Sequence, residues 1–380
     1  MTLAPYDAVL VQSFGGPRGP QDVVPFLRNV TAGRGIPDER LAEVGEHYYG
    51  FGGSSPINAQ NEALVDALRA ELARRGIDVP VALGNRNWTP YGDDVLRSLH
   101  VGGARRVVML ATSAYGSYSG CRQYREDLGR YLPVLAADGV DVAVDKVRPY
   151  FQLPGFVRGN VEAVVAAWRD QEGRTGAPPR LVFVTHSIPT AMEQASGAAR
   201  PATYDGQHRD LCATVAARAA AELGLDAPPE WDLVYCSRSG SPRVPWLEPD
   251  VNDFLAEQVA AGRLGPGTDR PGVVLAPVGF VSDHMEVAYD LDTEAAATCA
   301  RLHVPMSRAA TVGTHDAFVA GLVDLLVERA ALARGAAPAL EVDGGLPAWT
   351  DVCPQGCCLQ RPGQDDAPPA ACAEDSPPGL

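Results

Sequence analysis

"RLVFVTHSIP", residues 180–189, is a short apolar run that closes on Thr185, His186 and Ser187 and is stopped by Pro189. It is rich in β-branched and aromatic residues and carries no polar alternation, so it reads as a strand buried on both faces, the habit of parallel sheets. Ligand sites in such sheets lie outside the carboxyl ends of the strands, where His186 falls. A strand-end histidine that merely satisfies a backbone group is the competing reading.

Outward from this stretch the same pattern recurs. Strands are expected at "DAVLVQSF" (7–14), "VPVALGNR" (79–86), "RRVVMLAT" (105–112), "VDVAVDKV" (140–147), "WDLVYCS" (231–237) and "GVVLAPVGF" (272–280). Amphipathic segments lie between them, such as 57–76 and 159–171, and a helix over 316–335 closes the series. Alternation of this kind predicts an α/β fold with parallel sheets and helices on both faces. "VLVQSFGGP" (9–17) echoes "LVFVTHSIP" (181–189), and "QEGRTGAPPR" (171–180) breaks the pattern near mid-chain. The architecture expected is two doubly wound, Rossmann-like lobes, residues 1–152 and 153–335, then a cysteine-bearing extension over 336–360. A Pro-, Ala- and acid-rich tail over 361–380 reads as disordered.

The chain has 380 residues, 46% hydrophobic and 21% charged, with a formal net charge of −15. Lys146 is its single lysine. That excludes a Walker-A phosphate loop and argues against a nucleic-acid footprint. Neither a membrane span nor a leader segment is expected, which predicts a cytoplasmic protein, and no apolar stripe is left over to suggest anything beyond a monomer.

In "VSDHMEVAYDLDTEA" (281–295), Glu286, Asp290 and Glu294 recur at four-residue spacing behind Asp283 and His284. On a helix these carboxylates share one face and repel by a few tenths of a kcal/mol per pair, roughly. A solvated face is the ordinary reading of such a row. Here the acids begin at a strand end and are interleaved with Met285, Val287, Ala288, Tyr289 and Leu291, which favours a buried row along which a cation such as ferrous iron passes.

Three of the eight cysteines, Cys353, Cys357 and Cys358, crowd into "CPQGCC" (353–358). Free thiols, zinc and an iron–sulfur group are all open from spacing alone. Cys121, in "YGSYSGCRQY" (115–124), is a fourth thiol near a strand end; Cys212, Cys236 and Cys299 read as small core residues, and Cys372 lies in the tail.

Taken together, "LVQSFGGP" (10–17), "GGSSPI" (52–57), "GNRNWTP" (84–90), "TSAYGSYSGCRQY" (112–124), "FVTHSIP" (183–189), "SRSGSPRVPWLEP" (237–249) and "PVGFVSDHMEVAYDLDTE" (277–294) resemble the ferrochelatases. The resemblance spans about residues 7–330 and implies an enzyme, a lyase that inserts ferrous iron into a porphyrin between two facing lobes. It implies that His186 and Glu286 are the catalytic, iron-facing pair, that Asp290 and Glu294 pass metal in or protons out, and that Ser55, Tyr124 and Arg86 contact the porphyrin. It also implies a 2Fe-2S cluster on Cys121, Cys353, Cys357 and Cys358. Phe14 stands where some relatives place a tyrosine ligand to iron, so it contacts substrate without ligating.

Alanine- and arginine-rich composition resembles high-GC actinobacterial members, which use coproporphyrin III and yield its iron complex, coproheme, in heme biosynthesis. Arg18, Arg28 and Arg34 in "PRGPQDVVPFLRNVTAGRGIP" (17–37) suit its four propionates. Insertion into protoporphyrin IX is the alternative within the enzyme class, and a non-catalytic tetrapyrrole or iron carrier is the rival outside it. Partners implied are porphyrin, ferrous iron and the neighbouring enzymes of the heme pathway.

Overall fold

The computed structural model describes residues 1–33, 35–197, 202–239, 243–349 and 351–372. Eight strands form two four-stranded sheets: β1 (Ala8–Ser13), β2 (Val81–Asn85), β3 (Arg106–Ala111) and β4 (Ala143–Lys146) in one, β5 (Arg180–His186), β6 (Trp231–Cys236), β7 (Val273–Ala276) and β8 (Met306–Arg308) in the other. The orders are β2-β1-β3-β4 and β6-β5-β7-β8, with every pairing parallel. The α/β, doubly wound architecture is therefore the one expected. The sequence echo marks a positional equivalence, since β1 and β5 hold the same place in their sheets. Strand β8 was not expected: its three residues, Met-Ser-Arg, carry no apolar run.

Alternation along the strands sends side chains to two layers. Val9 and Val11 of β1, with Leu181 and Phe183 of β5, enter one continuous core that also takes in the helices Ile57–Arg74, Pro154–Thr175, Tyr204–Leu223 and Asp316–Ala333. Ala8 and Leu10 face a second cluster on the outer side of the first sheet, and Val182 and Val184 a third on the outer side of the second. The two sheets thus share a central helical layer. The mid-chain break expected at 171–180 is the end of the helix Pro154–Thr175, capped by Gly176 at φ 71°, where a left-handed residue closes the last turn.

Beyond residue 335 the chain folds back across the molecule. Trp349 is fully buried, edge-on to Phe151 at 6.3 Å, and a Cβ at Gly116 would come within 2.6 Å of its ring. Gln152 Nε2 donates to the Leu346 carbonyl at 2.6 Å, and the Arg148 amide donates to Asp351 Oδ1 at 3.2 Å. Residues 361–372, expected to be disordered, lie along the first lobe: Ala370 and Ala371 are buried, and the Ala371 amide donates to the Arg125 carbonyl at 3.0 Å. Small side chains let this segment press onto Gly129, where a Cβ would meet the Pro369 carbonyl at 2.3 Å. Residues 373–380 lie outside the described residues.

Candidate active site and cysteine cluster

In each sheet the chain reverses its winding direction between the first and third strands, and the crevice beyond their carboxyl ends is where ligands bind in this architecture. In the second sheet those strands are β5 and β7. His186 ends β5, and Glu286 lies ten residues past the end of β7, so the switch point brings together the two residues singled out in the sequence.

His186 Nδ1–H donates to the Ser187 carbonyl at 2.5 Å, which leaves Nε2 as the acceptor. Burial lowers the pKa of His186, against the pull of Glu286 and Ser187, so the ring is neutral near pH 7 and able to take a proton or bind a cation. Behind it, the Tyr204 hydroxyl donates to the His186 carbonyl at 3.1 Å and meets Thr185 Oγ1 at 2.8 Å, and Thr185 meets His208 Nε2 at 2.9 Å.

The acidic segment is helical but not one continuous α-helix. Met285–Ala288 forms a short α-turn, Asp290–Ala295 a π-turn, and Ala296–Arg301 resumes the α-helix. Such π segments occur often at functional sites. His284 caps the start, its Nδ1 lying against the Glu286 carboxylate. Burial pushes Glu286 upward, but His284 and then His186 overcome it and hold the carboxyl down to about 2. His284 itself is raised, because Glu286, Asp290 and Asp283 outweigh its burial. Asp290 is driven up by burial; the Ser237 hydroxyl, which donates to it, resists, and Glu286 and Glu294 push it further, to about 7.

The site thus sets out, in sequence, a neutral imidazole, a second imidazole whose hold on its proton is strengthened by the acids around it, a carboxylate and a carboxyl that titrates at about 7. His284 and Ser237 were not assigned roles from the sequence. His284 was visible as a residue two positions ahead of Glu286. Ser237 carries a φ of 65°, a conformation only the structure shows.

The first lobe supplies the facing wall. The helix Asp38–Tyr49 lies over the acidic row: His47 stacks on Tyr289 at 3.8 Å, and half-buried Tyr48 feels the charges of Glu286 and Asp290. A cavity of about 470 Å³ between the lobes is lined by Arg18, Ser54, Ser55 and Gln60 on one side and Asp283, Ala288 and Asp292 on the other. Gly16 packs on Ser55 so closely that a Cβ would stand 2.6 Å from it. Phe14 is 38% exposed and lies edge-on to Phe26.

The arginines expected to greet propionates are engaged by carboxylates: Arg18 with Glu62 at 2.9 Å, Arg28 with Asp38 at 2.8 Å. Arg34 lies outside the described residues. Arg86 is held by Asp127 at 2.5 Å and by Gln123 at 3.1 Å, over the ring of buried Tyr124 at 4.9 Å. Contact of this Arg86–Tyr124 unit with a substrate requires the Asp127 pair to open.

Cys121, Cys353, Cys357 and Cys358 form a buried cluster of their own. The Cys121 thiol engages Cys353, Cys353 engages Cys357, and Cys357 Sγ lies 3.5 Å from Cys358 Sγ. A π-turn, Tyr118–Arg122, capped by Ser117, presents Cys121, and Cys358 turns back at φ 58°. Cys372 stays apart, its thiol donating to the Val144 carbonyl at 3.2 Å. Cys212, Cys236 and Cys299 are buried.

Among the described residues no group of three or more His, Cys, Asp or Glu side chains is arranged to hold a metal ion. The donor set and its surroundings nonetheless fit an anionic thiolate group. Arg125, 1% exposed, donates Nη2 to the Cys357 carbonyl at 3.2 Å, while its buried Nε and Nη1 have no partner among the described residues.

Two doubly wound lobes with parallel sheets, an imidazole and a carboxylate row at a switch point define a protein of the α/β class with a cleft built for a ligand. The ferrochelatase family model matches residues 6–330, and the chain belongs to the ferrochelatase family. It is 53% identical to the coproporphyrin III ferrochelatase of Streptomyces griseus subsp. griseus over 98% of each chain, and 50% identical to that of Streptomyces coelicolor over the same shares. Among solved structures, SirB from Bacillus subtilis with Fe3+ aligns with 89% of this chain and 99% of its own length, at a TM-score of 0.49 and 15% identity. No helix among the described residues is long and apolar enough to cross a membrane.

Proposed function

We propose that this chain inserts ferrous iron into coproporphyrin III, releasing two protons and giving coproheme. The observation that carries the reading is the meeting of His186 with Glu286 at the β5–β7 switch point. Metallation strips two N–H protons from the ring as the ion loses water. His186 Nε2 is free to accept one of them, and a general base of this kind supplies about 10²–10⁴-fold in rate. Glu286, anionic beside His284, faces the incoming ion, and Asp290 and Glu294 continue the row outward. An acid half-protonated near pH 7 suits the passage of either metal or proton.

Coproporphyrin III is favoured over protoporphyrin IX by the relatives' substrate and by the cleft mouth. Arg18–Glu62 and Arg28–Asp38 are exposed pairs worth about 0–1 kcal/mol each, so propionates can take the carboxylates' places at little cost. Ser55 and Phe14 face the substrate in this reading, with Arg86 and Tyr124 as the wall behind.

The same reading gives Cys121, Cys353, Cys357 and Cys358 a 2Fe-2S cluster, supported by their burial together and by the partnerless donors of Arg125. When bound, such a group ties residues 353–358 to the first lobe through Cys121. It also places the enzyme in the cytoplasm as a monomer, working between the neighbouring enzymes of the heme pathway, with lobes at 1–152 and 153–335.

Anaerobic rates of ferrous iron insertion, measured side by side on the two porphyrins, test the reading. Faster turnover of coproporphyrin III supports it; preference for protoporphyrin IX keeps the chemistry and overturns the substrate. Tight binding of both without turnover overturns the enzyme in favour of a carrier.

A further inference from the structure

We propose that Arg125 and Lys146 are the buried counter-charges of the group held by the four cysteines, a role that rests on the 2Fe-2S reading above. Arg125 is 1% exposed and Lys146, the chain's single lysine, is 4% exposed. Neither forms an ion pair with a carboxylate among the described residues. The cations around them are already matched: Arg122 with Glu126 at 2.8 Å, Arg148 with Glu328 at 2.7 Å, Arg329 with Asp145 at 2.8 Å.

Lys146 Nζ donates to the Val147 carbonyl at 3.0 Å, and its charge acts on Cys121. Arg125 acts on all four sulfurs and keeps two N–H groups without partners.

Two buried cations without a carboxylate partner are costly, as any buried ion left uncompensated is. An oxidised cluster of two ferric ions, two sulfides and four thiolates carries a net charge of −2, the sum of six positive and eight negative charges. Arg125 and Lys146 together carry +2, so the assembly is neutral when they are buried with it. The match also sets a direction. One-electron reduction converts one ferric ion to ferrous without breaking a bond, and nearby cations favour that more negative state, raising the reduction potential.

The full chain is purified anaerobically as wild type, Arg125→Gln, Arg125→Lys and Lys146→Met, and iron, acid-labile sulfide, visible absorption and the dithionite midpoint potential are measured. Gln can still donate to the Cys357 carbonyl but lacks the charge, whereas Lys keeps the charge. The expected result is a midpoint shifted to more negative potential, with faster loss of iron to a chelator, in Arg125→Gln and Lys146→Met, and values near wild type in Arg125→Lys. Equal midpoints and chelator half-lives in all four proteins overturn the assignment. So does equal loss in Arg125→Gln and Arg125→Lys, which would mark a purely structural contact. Wild type without iron and sulfide removes the cluster itself, a failure distinct from the other two.

Discussion

Cys236 is the register partner of His186 across β5 and β6, so the next residue, Ser237, leaves the sheet beside the imidazole and donates its hydroxyl to Asp290. Its φ of 65° is a left-handed conformation that costs a non-glycine residue on the order of 1–3 kcal/mol. Adjacent strands therefore deliver the proton acceptor and the group that steadies the acidic row.

Removal of that hydroxyl has a defined sign. The Ser237 bond stabilises the ionised form of Asp290, whose midpoint stands at about 7. If ionised Asp290 passes cations or protons, the rate rises with pH through that midpoint. In Ser237→Ala the rising limb moves to higher pH, and in Asp290→Asn it disappears. Profiles of kcat against pH for the three proteins check this; superimposable limbs would refute the role of Asp290.

His186→Ala is expected to lower kcat by roughly 10²–10⁴-fold, the usual range for loss of a general base. Porphyrin affinity, read by fluorescence quenching, stays within a few-fold. A change confined to affinity contradicts the assignment.

Trp349→Ala empties a fully enclosed site between Phe151 and Gly116 and is expected to cost about 3–5 kcal/mol. Because Trp349 anchors the segment that carries Cys353, limited proteolysis should cut after residue 335 sooner than in wild type. Cys353→Ser tests the neighbouring tie: loss of visible absorption with a lower melting temperature is expected, and an unchanged melting temperature would show that the cysteines do not hold the tail.

Asp351 gives the docked segment a pH dependence. Burial first, and the charge of Glu328 second, raise its carboxyl to about 6, above an unfolded value of about 3.9. The folded form therefore holds its proton more tightly. The associated stability is complete below about pH 4 and is lost as pH rises through about 6, by an amount of order 1–3 kcal/mol. Asp351→Asn keeps the acceptor for the Arg148 amide and removes the ionisation. Denaturant titrations at pH 4.5 and 8 should show the variant gaining on wild type at the higher pH.

The sheets were legible because seven strands are apolar runs with turn residues at their ends; the strand end marked His186 as a candidate, and its pairing with Glu286 came from the family resemblance. The cysteine set was legible from spacing and family resemblance, and the fold gathers those four residues. Other features depend on contacts between distant residues. Nothing in "MSR" announces β8, whose place is set by pairing with β7. The π-turn at 290–295, the left-handed Ser237 and the carboxylates that occupy Arg18, Arg28 and Arg86 arise from tertiary packing that overrides local pattern. The stretch 361–372 looked unstructured by composition because its docking uses alanines and backbone carbonyls against Gly129, not an apolar stripe.

Lys146 offers a practical handle. With the only lysine side chain enclosed beneath the returning carboxyl-terminal segment, the folded surface presents no lysine amine to acylating reagents. Acylation of Lys146, followed by mass spectrometry, therefore counts how often that segment lifts away, and the chain carries its own single-site probe for the event.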